Sequence, residues 1–266
     1  MGRKLRSKIA AALLMIAAAM SGGLRAGQGQ ASPFLVRDGG IIRGPQNEKR
    51  IAIVFTGHEY AESGEKILDV LAGHRARASF FVTGDFLANT NFAGLIHRII
   101  REGHYLGPHS DKHLLYCSWD HPPKTLVTRS RFTNDVNACL KTIYRLGVAP
   151  SKVRFFLPAY ENYNAEIASW SSEMGLTLVD YTPGTRSNAD YTGEADRNFV
   201  SSLKIFDSII ARERSDPAGL DGFILLLHIG SGPGRRDKFS ARFGELLDYL
   251  SAQKYSFVRI DTLLAK

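Results

Sequence analysis

The chain has only two cysteines among 266 residues, Cys117 and Cys139. That is too few for a stapled mini-fold, so stability must come from an apolar core. Whether the two are paired or remain buried thiols stays open at this level. No cysteine occurs in the first hundred residues, which argues against a lipid-attached N-terminus. Lys and Arg are scattered without the clusters that a polyanion demands, which excludes a nucleic-acid partner. No sequence repeat is present, and the N-terminal apolar run, Ile9 to Met20, is too short to span a bilayer.

What the N-terminus does have is an ordered set of signals. Arg3, Lys4, Arg6 and Lys8 precede that run, and small residues follow it. This is the order of a secretory signal peptide over residues 1–26, with cleavage expected near Ala26 or Ala31. Its removal predicts a periplasmic or extracellular protein without an integral membrane segment. Much of the formal charge of +8 would leave with it, since Arg25 lies in the same stretch. Residues 27–49 show no sustained period and read as a lead-in segment.

From residue 50 onward, strand and helix patterns alternate. "IAIVF", "ASFFVTG", "HYLGPHS", "VRFFLP", "LTLVDYTP", "GFILLLHIG" and "SFVRI" read as strands, with helix-spaced segments between most of them. Gly103 and Gly147 stand where two of the helices should stop. Near-continuously apolar strands alternating with helices predict an α/β fold, a parallel (β/α) barrel spanning residues 50–266. In such a fold the strand C-terminal ends share one face. Here those ends carry His58, Glu59, Asp85, His109, His113, Tyr160, Glu161, Asp180, Asp190 and His228, the composition of a metal hydrolase site.

His109 and His113, four apart, are expected at the start of a helical turn that puts both imidazoles on one side, able to bind one cation. Glu59 is a carboxylate able to act as base, and His58 can be a third ligand; the reverse assignment is open. Tyr105, Tyr116, Trp119 and Tyr163 lie near these motifs and are candidates for stacking on sugar rings.

"GHYLGPHSDKH" resembles the His-(Ser/Thr)-x-x-His motif of the polysaccharide deacetylases, the NodB-homology group of carbohydrate esterase family 4. "FLPAYE" is similar to the family's Pro-Tyr motif and "ILLLHIG" to its closing Leu-His motif. The resemblance implies a deformed (β/α) barrel and a divalent metal, usually zinc, held by His109 and His113. It implies an acetylated polysaccharide or oligosaccharide as substrate. His228 would be the general acid and Asp190 the residue that orients it, with Asp180 the alternative. The backbone N–H of Tyr160 would face the oxyanion, and Glu161, at the family's usual glycine, would contact substrate. Two departures stand out. The family's Thr-Phe-Asp-Asp-Gly is Val54-Phe55-Thr56-Gly57-His58 here, and its arginine before the Pro-Tyr motif is Leu157. A rebuilt site with His58 and Glu59 is the expectation. A non-catalytic glycan-binding descendant, or a hydrolase of another small amide or ester, is the alternative.

Overall fold

The computed structural model describes residues 33–265; the expected signal segment and its cleavage site lie outside them. In chain order the elements are β1 (Leu35–Arg37), β2 (Gly40–Arg43), β3 (Arg50–Gly57), α1 (Gly64–Gly73), β4 (Ser79–Val82), α2 (Gly84–Ala88), α3 (Ala93–Arg101) and β5 (Tyr105–Pro108). They continue with α4 (Arg129–Arg145), β6 (Phe155–Phe156), α5 (Ala165–Glu173), β7 (Thr177–Leu178), α6 (Ser202–Ser215), β8 (Ile224–His228), α7 (Phe243–Ala252), β9 (Ser256–Val258) and α8 (Ile260–Leu263).

The main sheet runs β5-β4-β3-β8, with β9 also on β3, and every pairing in it is parallel. Residues 51–57 of β3 are all buried, because the strand has covered faces on both sides. Around the rest of the circuit the ladders shorten. β6 and β7 form a separate two-stranded piece, and single bonds connect it to its neighbours: Leu157 N–H donates to the Pro108 carbonyl at 3.4 Å and Thr182 N–H to the Ile224 carbonyl at 3.0 Å. This is the deformed parallel α/β architecture that the resemblance implies, with the parallel strands and covering helices that the alternation of elements predicts.

The helices cover the sheet through spaced apolar residues. On α4, Phe132, Val136, Cys139, Leu140 and Ile143 are buried, a helix-period stripe. Its N-terminus is capped by Thr128, whose hydroxyl accepts from Arg131 N–H at 3.2 Å. The expected stops hold: Gly103 and Gly147 follow α3 and α4 with φ of 77° and 90°.

Two expectations need correction. Residues 35–43, read as lead-in, form the antiparallel hairpin β1–β2, bonded to the body where Asp180 N–H donates to the Ile41 carbonyl at 2.9 Å. The segment His109–His113 is not a helical turn. It is a bent loop with left-handed backbone at Ser110 (φ 89°) and His113 (φ 51°). Both cysteines are free and buried, and burial pushes their thiols up, that of Cys117 to about 11.

Candidate active site

The strand ends meet at a cavity of about 480 Å³ lined by His58, Glu59, His109, His113, Tyr160, Glu161 and His228 among others. His109 leaves the end of β5, and its Nδ1 lies 2.8 Å from the Leu157 carbonyl. An imidazole facing a carbonyl must donate, so Nδ1 carries the proton and the Nε2 lone pair is free toward the cavity. His58 follows β3, with Nδ1 3.1 Å from the Thr83 hydroxyl. The His113 ring stacks on that of His58, with centroids 4.5 Å apart and planes at 16°, and lies 5.3 Å from the His109 ring.

What brings His113 back toward His109 is an acid on α4. The Asp135 carboxylate accepts from Asp111 N–H at 3.1 Å and Lys112 N–H at 3.2 Å, and Tyr116 OH donates to it at 2.5 Å. This acid clamps the loop that a helical spacing rule mistakes for a turn of helix. Asp135 was legible in principle, as a carboxylate on the buried stripe of α4 between Phe132 and Cys139. Thr83 and Arg235 gave no comparable signal.

On the facing side His228 ends β8. Its Nδ1 lies 2.6 Å from Asp190 Oδ1 while its backbone N–H donates to Asp190 Oδ2 at 2.9 Å. Asp180 goes elsewhere: it is fully buried, bonded by Arg37 Nη2 at 2.6 Å and by Tyr181 N–H at 2.7 Å. The turn carrying Asp190 is held by Arg235. This fully buried guanidinium donates to the carbonyls of Ala189, Thr192, Val200 and Asp237.

The two carboxylates near the histidines differ in setting. The Glu59 side chain is 65% exposed, with Oε1 4.0 Å from His58 Nε2. The Glu161 side chain is 14% exposed, with Oε1 3.9 Å from His109 Nε2. Of the aromatics expected at the rim, Tyr105, Tyr116 and Tyr163 are buried in the core, where a long apolar ring is more useful to packing. Trp119 remains exposed beside the cavity, its ring 6.1 Å from that of Tyr160. Tyr191 sits 5.0 Å from the His228 ring.

Electrostatics separates the histidines. Burial, then the charge that His113 would add, holds His109 well below 6.5, and burial with His58 takes His113 down to about 4. Both are neutral near pH 7, as metal ligands must be. Burial also opposes charge on His228, but Asp190 outweighs it and raises the pKa. Glu161 is pushed up to about 7 by burial. Among the described residues no group of three or more His, Cys, Asp or Glu side chains is already arranged to hold an ion. The donor chemistry nonetheless suits a borderline-soft divalent cation: neutral imidazoles, one with its tautomer fixed by a carbonyl.

A strand-end cavity that sets imidazoles opposite a His–Asp pair on a parallel α/β scaffold defines a hydrolase-type site of the carbohydrate esterase kind. The sequence model of the polysaccharide deacetylase family matches residues 43–179, and the chain belongs to that family. It is 33% identical over 222 residues to the peptidoglycan-N-acetylmuramic acid deacetylase PdaA of Bacillus subtilis (strain 168), covering 83% of this chain and 73% of that one. The solved structure of PdaA, a family 4 carbohydrate esterase, superposes with a TM-score of 0.66 at 22% identity over 85% of this chain and 84% of that one. The peptidoglycan-N-acetylglucosamine deacetylase PgdA of Listeria monocytogenes serotype 1/2a (strain 10403S) is 26% identical over 219 residues, 82% of this chain. The chain spans only 39% of the length of PgdA. The same fold is shared with a wild-type pseudoenzyme of the CE4 family from Bacillus anthracis, with a TM-score of 0.64 at 16% identity over 86% of this chain and 69% of that one.

Proposed function

We propose that the protein is an exported, metal-dependent carbohydrate deacetylase that hydrolyses N- or O-acetyl groups of a cell-wall or other glycan. The observation that carries this reading is the placement of three imidazoles, His58, His109 and His113, across one cavity from the His228–Asp190 pair. His58, His109 and His113 would hold the cation, zinc by the chemistry of the donor set. When bound, the cation supplies Lewis acidity toward the acetyl carbonyl and its attacking water.

This chain's own residues then divide the proton work. Glu59, at the mouth of the cavity beside His58, accepts a proton from the water as oxygen attacks the acetyl carbon. The backbone N–H of Tyr160 donates to the oxyanion. His228, whose protonated form Asp190 favours, gives its Nε2 proton to the sugar nitrogen or oxygen as the bond to the acetyl carbon breaks. Trp119 and Tyr160 offer ring faces to the sugar. The fold and metal chemistry are then consistent with peptidoglycan, the substrate named for PdaA and PgdA, as the first glycan to test. Loss of both aspartates from β3 supports a second reading, a glycan-binding protein without turnover.

Acetate release from acetylated peptidoglycan and chitin oligomers, measured beside metal content, decides between them. The deacetylase reading expects stoichiometric metal and acetate release, both lost in His109→Ala. It also expects Glu59→Gln to cut kcat by about 100-fold or more with metal retained. Sugar binding without metal or turnover supports the second reading. Export is checked by sequencing the N-terminus of secreted protein, which should begin near residue 27 or 32.

A further inference from the structure

We propose that Glu161 is the carboxylate donor of this cation site, delivered by the turn after β6 in place of any carboxylate at the end of β3. The inference rests on the reading of His58, His109 and His113 as metal donors. β3 ends in Thr56 and Gly57, neither of which can ligate as an anion. Three imidazoles are neutral donors, so a divalent cation held by them alone would sit in a buried cavity with its charge uncompensated.

Among the described residues, Glu59 and Glu161 are the carboxylates of the cavity lining. Glu59 is mostly exposed, and water can solvate it. Glu161 is largely removed from water, yet no hydrogen bond among the described residues reaches its carboxylate; His109 Nε2 stands 3.9 Å away, and His228 and Asp190 act on it only through longer-range charge. That separation is too long for a hydrogen bond. It lies within the span of two donors that each stand about 2.0–2.2 Å from one cation. The neighbouring acids are already engaged, Asp180 by Arg37 and Asp190 by His228. A buried carboxylate without a donor is unfavourable unless a positive charge arrives to meet it.

The backbone supports the same assignment. Tyr160 and Glu161 both have left-handed backbone, with φ of 61° and 53°, a conformation that favours glycine. The turn is clamped, since Asn162 Nδ2 donates to the carbonyls of Cys117 at 2.9 Å and Ser118 at 3.1 Å. A glycine would adopt this conformation without strain, so the position keeps glutamate for its side chain, and strain held in this way marks a working site.

The test is calorimetric titration of Zn²⁺ into the metal-free full-length protein, with Glu161→Gln, Glu161→Gly and Glu59→Gln compared with wild type. Zn²⁺ affinity should fall by about 10-fold or more in both Glu161 variants, since a lost donor costs at least what a lost supporting group does. It should change little in Glu59→Gln. Both Glu161 variants should melt at or above the wild-type temperature without metal, because each removes a carboxyl group that no hydrogen bond satisfies, so lost affinity cannot be ascribed to unfolding. Wild-type Zn²⁺ affinity in Glu161→Gln overturns the inference, even if acetate release is lost. Weakened Zn²⁺ binding in Glu161→Gln alongside a wild type that releases no acetate from any glycan sustains this inference and sinks the deacetylase reading instead. A wild type that binds no Zn²⁺ overturns both.

Discussion

His104, which directly precedes β5 at the strand end opposite the cavity, shows what a single residue can impose on the molecule. Its Nδ1 accepts from Ala78 N–H at 3.1 Å, so its proton must sit on Nε2, which is buried and lies 3.7 Å from Glu102 Oε2, too far for a hydrogen bond. Burial, followed by the charge of Arg77, lowers its pKa from 6.5 to about 4. The unfolded chain therefore binds a proton that the folded chain refuses between those values. Stability is full above about pH 6.5, falls as pH drops toward 4, and levels off below that. His109 and His113 act with the same sign. We expect urea unfolding to show a loss of about 3 kcal/mol from His104 alone across that window. In His104→Asn, whose amide oxygen can still accept from Ala78, the slope of stability against pH should be shallower; an unchanged slope would refute the assignment.

At the scale of elements, the site depends on how α4 meets the loop after β5. One carboxylate, Asp135, accepts two backbone N–H groups and the Tyr116 hydroxyl, so the helix fixes where His113 can stand. Asp135→Asn replaces one acceptor oxygen by a donor and leaves a half-buried N–H of the loop without its acceptor, at a cost of about 1 kcal/mol. The expected outcome is a Zn²⁺ affinity reduced about 10-fold or more with helical content unchanged by circular dichroism. Affinity equal to wild type would mean that the loop holds its shape without α4. The missed hairpin β1–β2 belongs to this scale too. Its strands are short and end in turn chemistry, so no periodicity in the sequence marks them.

For the whole molecule, the hairpin joins the first described residues to the last third of the chain. Arg43 is buried and donates to the Asp221 carbonyl at 2.9 Å, the Gly219 carbonyl at 3.0 Å and Asp216 Oδ2 at 2.9 Å. If residues 27–49 were only a lead-in, Arg43→Met would be silent. Asp216 keeps Arg212 at 2.6 Å, but the Asp221 and Gly219 carbonyls lose their donor, at a cost of about 1–3 kcal/mol. A fall in melting temperature of about 5 °C is therefore expected from differential scanning calorimetry. No helix among the described residues is long and apolar enough to cross a membrane, in keeping with a domain whose apolar residues face its own sheet.

The order of strands and helices, the parallel sheet and the convergence of His58, His109, His113 and His228 were determined by the sequence. Apolar period and strand-end chemistry are local properties, and a parallel α/β fold carries strand ends to one face wherever they lie in the chain. Three matters were decided only by tertiary structure: the loop shape between His109 and His113, the exposure that separates Glu59 from Glu161, and the choice of Asp190 over Asp180 beside His228. Each depends on partners distant in sequence. Asp135 lies 24 positions from the Asp111 N–H it accepts, and Asp180 is claimed by Arg37, 143 positions away. Burial and hydrogen-bond competition are set by what folds against a residue, and neither is written in its immediate neighbours.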